Sequence, residues 1–445
     1  IQCINKHNFE CFNDDDEKIL TQISILLSDL MQKLLLESSY TAFIQTSSAI
    51  AADVKHMYRQ FCHEHDHSPL SNRRRNSREK PLRRTSTNNV IGARFPASID
   101  SEQQMESICE SIYRWDFDYL SMSEDVDRIT PCLEQCFAFE HIKLLPSFSV
   151  PMDSFRSFVV ELRSMYRTDA AYHNWMHAFI TVHATFLMLN SLALIRLLPS
   201  IDVFALLLAA LGHDVEHPGF TNAYQVATES PLALLYNDKS VLEQHHAATL
   251  SRLLKSSDAS LLRTFDAASV RRIRQVIMSS ILATDMARHN EMILWLESNG
   301  SVISDARKAG EHVNAENAGH LCDSLLHAAD LVHPALPWKV HRHLSTLMAT
   351  EFFIQYEEEQ RRGLPSLPFM GKEPGNLQEL APVQVGFLQF VVAPLWKSMN
   401  FAAGADTLRF VVENIEGNTS SWKAIEKGED VGDVQPFQAP KSSRC

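Results

Sequence analysis

An all-α fold is what this sequence predicts, and three observations carry the prediction. Beyond residue 100, apolar residues recur at helical spacing, as in Val270, Ile273, Val276, Ile277 and Ile281. Few runs alternate with period two. Glycine and proline fall where helices should end, at Pro199, Pro231, Gly300 and Pro394. Phe204 to Leu211 is apolar throughout and reads as a helix buried on most sides. The expected architecture is a compact multi-helix domain over residues 101–427, followed by a polar, frayed tail, 428–445. Gly363 to Leu380, with three prolines and three glycines, reads as a mobile loop over a pocket mouth.

Upstream, residues 1–63 open with a short strand-like run, a turn and an acidic helix start, IQCINKHNFECFNDDDE. A long helix follows, striped by Ile19, Ile23, Leu26, Leu27, Leu30 and Leu34. The pattern resembles the last strand and closing helix of a GAF domain, truncated at its start, and a homodimer through this helix is expected. Residues 64–100 carry seven basic residues between Arg73 and Arg84 among Ser, Asn, Thr and Pro, without apolar periodicity, and read as a disordered linker. Within it, Arg74-Arg75-Asn76-Ser77 and Arg83-Arg84-Thr85-Ser86 have the spacing a basophilic protein kinase recognises, making Ser77 and Ser86 candidate phosphorylation sites.

The composition bounds the function. At 445 residues and 45% hydrophobic content the chain can bury a large core. Its net charge of −13 argues against a nucleic-acid partner, which demands a basic footprint. The longest clean apolar run, Val203 to Leu211, is far short of a membrane span. Eight cysteines at irregular spacings read as reduced thiols, hence an expected cytoplasmic setting; Cys132-x3-Cys136 has no second pair at zinc-site spacing and is expected to pack. The chain opens at Ile1 without methionine and reads as a fragment.

The chemistry lies in two histidine-rich blocks, LGHDVEHPGFTN and LLHAADLVHP. His213-Asp214 sets an imidazole beside a carboxylate at a helix end, where both can reach one ion and the carboxylate's second oxygen another. His217, four residues on, is expected on the same helical face. Tyr172-His173-Asn174-Trp175-Met176-His177 adds two imidazoles at i and i+4, one to ligate and one to face a substrate. This nitrogen and oxygen set suits zinc in a tight site and magnesium or manganese in a looser one. A single histidine on an amphipathic helix is more often packed than ligating, and His245, His246 and His289 stay open between the two.

The runs YHNWMHA, HDVEHPGFTNAYQ, YNDKSVLEQHH, LATDMARH, HAADLVHP, EFF and VQVGFLQFVVAPLW, in that order over about residues 150 to 415, closely resemble the catalytic domain of class I cyclic-nucleotide phosphodiesterases of the HD superfamily. The resemblance implies an all-α domain hydrolysing 3′,5′-cyclic nucleotides, cyclic AMP and also cyclic GMP, to 5′-monophosphates by a hydroxide bridging two divalent ions. His177, His213, Asp214 and Asp330 would hold the tight ion, with Asp214 bridging to the second. Waters on that second ion would lean on His217, Glu243 and Thr284. His173 would be the general acid, oriented by Glu351. Gln384 would read the purine edge and Phe387 stack on the ring, opposite Met348 and Phe352, with Tyr172 and His333 completing the substrate pocket.

His333 departs from the asparagine that many adenine-preferring members carry there. Together with Trp338 it resembles a branch accepting both cyclic nucleotides. Two other readings are an HD-type hydrolase of a different phosphate ester, in which Gln384 and Phe387 are core residues, and a catalytically silent cyclic-nucleotide-binding scaffold, which predicts a broken ligand set.

Overall fold

The computed structural model describes residues 111–122, 126–138, 143–191, 194–256, 261–404, 407–432 and 437. The expectations for the GAF-like segment, the linker with Ser77 and Ser86, and most of the polar tail lie outside them. The chain divides into two units, Ile1–Phe95 and Pro96–Cys445, and every described residue belongs to the second.

The described residues form helices joined by turns, with no strand among them. The longer helices are α1 (Val126–Ala138), α2 (Met152–Met165), α3 (Trp175–Ser191), α4 (Ser200–Gly212), α5 (Asn222–Ala227), α6 (Pro231–Tyr236), α7 (Val241–Ser256), α8 (Ala267–Leu282), α9 (His289–Ala309), α10 (Ala315–Asp330), α11 (Trp338–Arg362), α12 (Leu377–Phe387), α13 (Ala393–Ala402) and α14 (Arg409–Glu426).

Helix α4 is the centre of the bundle. Asp202 through Gly212 are all buried, as the unbroken apolar run predicts, and the helix packs against α3, α8 and α10. A carboxylate in such a place needs a partner. Asp202 has one in Arg272 of α8, which donates to both its oxygens at 2.7 and 2.5 Å. Ile273, Val276, Ile277 and Ile281 bury the stripe expected of α8, whose first turn is capped by the Asp266 side chain accepting from Ser269 N at 2.7 Å. Truncating one of these aliphatic side chains to alanine costs about 2–5 kcal/mol in a core that cannot collapse around the gap.

The end of α4 is built to present His213 and Asp214, the next two residues. The last carbonyls of a helix lack intrahelical partners. Here the Tyr166 hydroxyl donates to Leu211 O at 2.8 Å and His213 Nδ1 to Ala210 O at 2.9 Å. Gly212 allows α7 to come close, since a Cβ there would lie 2.8 Å from the Leu250 side chain.

The segment from Leu377 to Ala402 is long and apolar enough to cross a membrane by length and composition alone. Leu380, Ala381, Gln384, Leu388, Val392, Leu395, Trp396 and Met399 of that segment are buried in the bundle. It holds a π-helical turn at Leu388–Val392, just before Pro394. Proline has no N–H to give and its ring crowds the carbonyl four residues back, so the ladder widens ahead of it. The expected loop between Gly363 and Leu380 is shorter than anticipated: it contains a 3-10 turn at Pro368–Gly371 with Met370 buried, and α12 begins at Leu377. Cys132 and Cys136 are buried, as packing predicted.

Candidate active site

Four side chains from three elements converge. His177 stands in the first turn of α3, which Asn174 caps by accepting from Met176 N and His177 N at 3.0 and 3.3 Å. His213 and Asp214 come directly after the end of α4. Asp330 is the last residue of α10, and the next carbonyl, Leu331 O, is tied down by Trp396 Nε1 at 3.3 Å. His177 Nε2 lies 2.9 Å from Asp330 Oδ1 and 3.1 Å from His213 Nε2, and Asp214 Oδ2 is 3.3 Å from both imidazole nitrogens. These ligand atoms all fall within 4.8 Å of one another.

The donor set fits a divalent cation. Because His213 Nδ1 donates to Ala210 O, the neutral ring turns its Nε2 lone pair toward the other three groups. Asp214 Oδ2 is buried and makes no well-formed hydrogen bond. Burial alone would lower the pKa of His213, but the charges of Asp214 and Asp330 push it up to about 9. His177 is raised against its burial by the nearby Asp214 and Asp330 carboxylates, and both carboxylates are held below their ordinary range by the imidazoles. A centre this rich in carboxylate and lone pairs is satisfied by positive charge.

A second cluster, His173, His217 and Glu351, lies beside the first. Glu351 is only 5% exposed, unlike the glutamates that line helix surfaces. Its Oε1 hydrogen-bonds His173 Nδ1, and its Oε2 accepts from Tyr172 N at 3.0 Å and His173 N at 3.2 Å. Burial opposes the charge on both partners. For Glu351 the His173 charge outweighs it and holds the carboxyl at about 2; for His173 the Glu351 charge and hydrogen bond outweigh it and raise the imidazole.

Two expectations about helical faces need correction. His217 does not share a helical face with His213, because α4 stops at Gly212 and a tight turn intervenes, with Glu216 at φ 63°. His173 likewise precedes α3, so only His177 of that pair is helical. The turns bring them together regardless: the His217 ring stacks on His173 with centroids 4.1 Å apart, and its Nδ1 accepts from Gly219 N at 3.1 Å.

Glu243, in the first turn of α7, accepts from Asn222 Nδ2 at 3.1 and 2.9 Å, and burial pushes it up to about 7. Asn222 escaped the sequence reading. Of the open histidines, His246 joins the site: its Nδ1 donates to Val215 O at 2.7 Å, and its buried Nε2 lies 3.8 Å from Asp214 Oδ1. Its position one turn after Glu243 was the available signal. His245 pairs with Glu216 at 2.8 Å, and His289 with His327 at 2.9 Å. Thr284, two residues beyond α8, is buried and turns its hydroxyl onto Ile281 O.

Toward the other end, Gln384 is buried on α12, and its buried Oε1 accepts no hydrogen bond from the described residues. Phe387, one turn on, lies nearly parallel to the His333 ring, with centroids 6.3 Å apart. Tyr172 bridges the two regions, 4.7 Å from His177 and 5.8 Å from His333, ring to ring. Phe352, one turn after Met348 on α11, meets Phe369 edge-on at 5.8 Å. His333 is almost wholly buried, and its Nδ1 lies 3.2 Å from His341 Nδ1, while Trp422 Nε1 donates to His341 Nε2 at 2.8 Å.

Residues 172–415 match the family described as 3′5′-cyclic nucleotide phosphodiesterase. The chain is 31% identical over 330 residues to the 3′,5′-cyclic-AMP phosphodiesterase 4C of Mus musculus, covering 71% of this chain and 46% of that protein. It is 31% identical over 315 residues to the 3′,5′-cyclic-nucleotide phosphodiesterase regA of Dictyostelium discoideum, covering 71% and 38%. The chain thus spans less than half the length of these two relatives. Its fold is similar to the crystal structure of the phosphodiesterase domain of the RhoPDE fusion protein from Salpingoeca rosetta, with a TM-score of 0.65 and 32% identity over 73% of this chain and 98% of that one.

Proposed function

The chain belongs to the 3′,5′-cyclic nucleotide phosphodiesterase family, and from that premise we propose that it hydrolyses cyclic AMP, and cyclic GMP as well, to the 5′-monophosphates. The observation that carries the reading is a buried carboxylate gripping the His173 imidazole beside a four-donor cation centre.

His177, His213, Asp214 and Asp330 would hold the tight ion, zinc by the chemistry of the set, and Asp214 would reach a second, magnesium or manganese. Bound there, the two ions supply a water of lowered pKa and neutralise charge on the phosphoryl oxygens. The protein's own part is to place and move protons. Attack forms a new P–O bond and breaks the bond to O3′, which leaves with the electron pair. Glu351 engages His173 Nδ1, so Nε2 is the atom that delivers a proton to O3′. Glu243, with Asn222 behind it, His217 and Thr284 orient water. Gln384 meets the purine edge with Phe387 on its face; His333 and Tyr172 close the pocket, and Met348 and Phe352 form the wall opposite. The amide of Gln384, whose buried Oε1 has no described partner, can offer donor or acceptor, which supports acceptance of both bases.

In the same reading, a basophilic kinase acts on Ser77 or Ser86 and alters turnover, and two chains pair through residues 1–63. Treating the protein with such a kinase, with a Ser77→Ala/Ser86→Ala variant beside it, tests the first; sedimentation with and without residues 1–63 tests the second.

The activity test compares kcat/KM for cyclic AMP, cyclic GMP and linear nucleotides, with added magnesium and after chelation. Cyclic substrates should be preferred and chelation should abolish turnover. Preference for linear esters would favour a different HD-type hydrolase, and metal binding without turnover a silent scaffold.

A further inference from the structure

The turn between Asp214 and His217 is held by a side chain that the proposed chemistry does not use. Asp214 and His217 are three residues apart beyond the end of α4, yet both must face one site. The chain achieves this with a tight turn, closed by His217 N donating to Asp214 O at 3.0 Å, in which Glu216 adopts φ 63°. A left-handed conformation is one that L-residues with a Cβ avoid, and glycine or asparagine is the ordinary choice. A glutamate needs a reason to be there, and its side chain supplies one.

Glu216 Oε2 is 2.8 Å from His245 Nε2 and 3.2 Å from Thr249 Oγ1, and Arg252 Nη2 donates to that same Thr249 hydroxyl at 2.7 Å. His245, Thr249 and Arg252 recur at four and three residues, one face of α7. The adjacent His246 holds the preceding carbonyl, Val215 O. Helix α7 therefore grips the turn twice, once through backbone and once through the Glu216 carboxylate. It is the same helix that carries Glu243.

We propose that Glu216 is a positioning residue: clasped by His245 and Thr249, it fixes the turn so that Asp214 faces the second cation and His217 stacks under His173. The inference rests on the reading of this centre as a two-cation site, but not on which ester is cleaved.

The test uses the whole chain loaded with zinc, and the probe is Mn²⁺, followed by titration calorimetry and electron paramagnetic resonance. Glu216→Gly removes the clasp while relieving the backbone. The variant should keep its zinc but bind Mn²⁺ about 10- to 100-fold more weakly, the usual loss when a supporting partner of a metal site is removed. Its kcat should fall with little change in KM. Glu216→Gln, which retains an oxygen acceptor, should restore most of the affinity. His245→Ala should weaken Mn²⁺ binding similarly, and the double variant should be no worse than either single one. Wild-type behaviour in Glu216→Gly would show that only the backbone bend matters, and strictly additive losses would show that the two side chains act separately; either result overturns the proposal. Should Glu216→Gly fail to fold, His245→Ala alone decides by the same titration. Absence of cyclic-nucleotide turnover in the wild type would refute the proposed activity, while the Mn²⁺ titrations would still decide the clasp.

Discussion

Glu351 grips His173 from two directions: one carboxylate oxygen hydrogen-bonds the ring Nδ1, and the other accepts the backbone N–H of the same residue at 3.2 Å. Ring and main chain are thereby fixed to one anchor on α11, and the imidazole is left with one nitrogen to offer. Its charge is set by the same contact. Glu351 raises the His173 pKa above its ordinary 6.5 against the cost of burial, so the protonated form persists to higher pH and is lost as pH rises through the raised value.

Glu351→Gln should therefore pull the alkaline limb of the pH-rate profile to lower pH and reduce kcat on the order of 100-fold on that limb. Folding stability depends on the same pair. The lowered Glu351 contributes above its ordinary 4.5 and loses that contribution as pH falls toward about 2, whereas the raised His173 contributes below 6.5 and loses it above. The pair's contribution should be flat between those two ordinary values, which thermal melts of wild type and variant across pH would show.

His173→Ala should leave metal content unchanged, because its Nδ1 is occupied by Glu351 and the ring lies outside the four-donor set. Turnover should fall about 10²- to 10⁴-fold. An analogue with a much better leaving group should suffer a smaller deficit, since it needs less protonation. An equal deficit for both substrates would count against the acid role.

Asp330→Ala or His213→Ala should empty the tight site and abolish activity together, measured as metal per chain and as turnover. The fold should survive, because α4 and α10 carry their own apolar contacts around these residues. Retained turnover with the metal gone would refute the assignment.

The sequence made the helices and the ligands legible for different reasons. Stripes such as Ile273 to Ile281 are local, and burial follows from their spacing. The pairs His213-Asp214 and His173/His177 were found because imidazoles and carboxylates cluster along the chain there, although His217 and His173 reach the site from turns and not from helical faces. What stayed hidden depends on distant partners. Glu351 was named through the resemblance, but its grip on the backbone of Tyr172 and His173 was not, and Asn222, His246, His341 and Trp422 acquire roles from neighbours that no short motif contains.

The chain of rings behind the proposed base pocket bears on the last prediction. Trp422 N–H occupies His341 Nε2, so neutral His341 carries its proton on Nδ1, which faces His333 Nδ1 at 3.2 Å and Ser345 Oγ at 3.4 Å. Burial keeps both imidazoles neutral. His333 is then left with its proton on Nε2, a buried donor with no partner among the described residues. Adenine and guanine both present N7 as an acceptor, whereas only adenine presents the N6 amino donor beside it. A lone N–H donor cannot separate the two bases. An asparagine amide can, because it adds an acceptor for N6. His333→Asn should therefore raise the ratio of kcat/KM for cyclic AMP over cyclic GMP by about tenfold, equivalent to about 1.4 kcal/mol. Gln384→Ala should weaken both substrates together, because one amide serves both. Parallel steady-state kinetics on the two variants check the pair of expectations, and an unchanged ratio in His333→Asn would show that position 333 does not read the base.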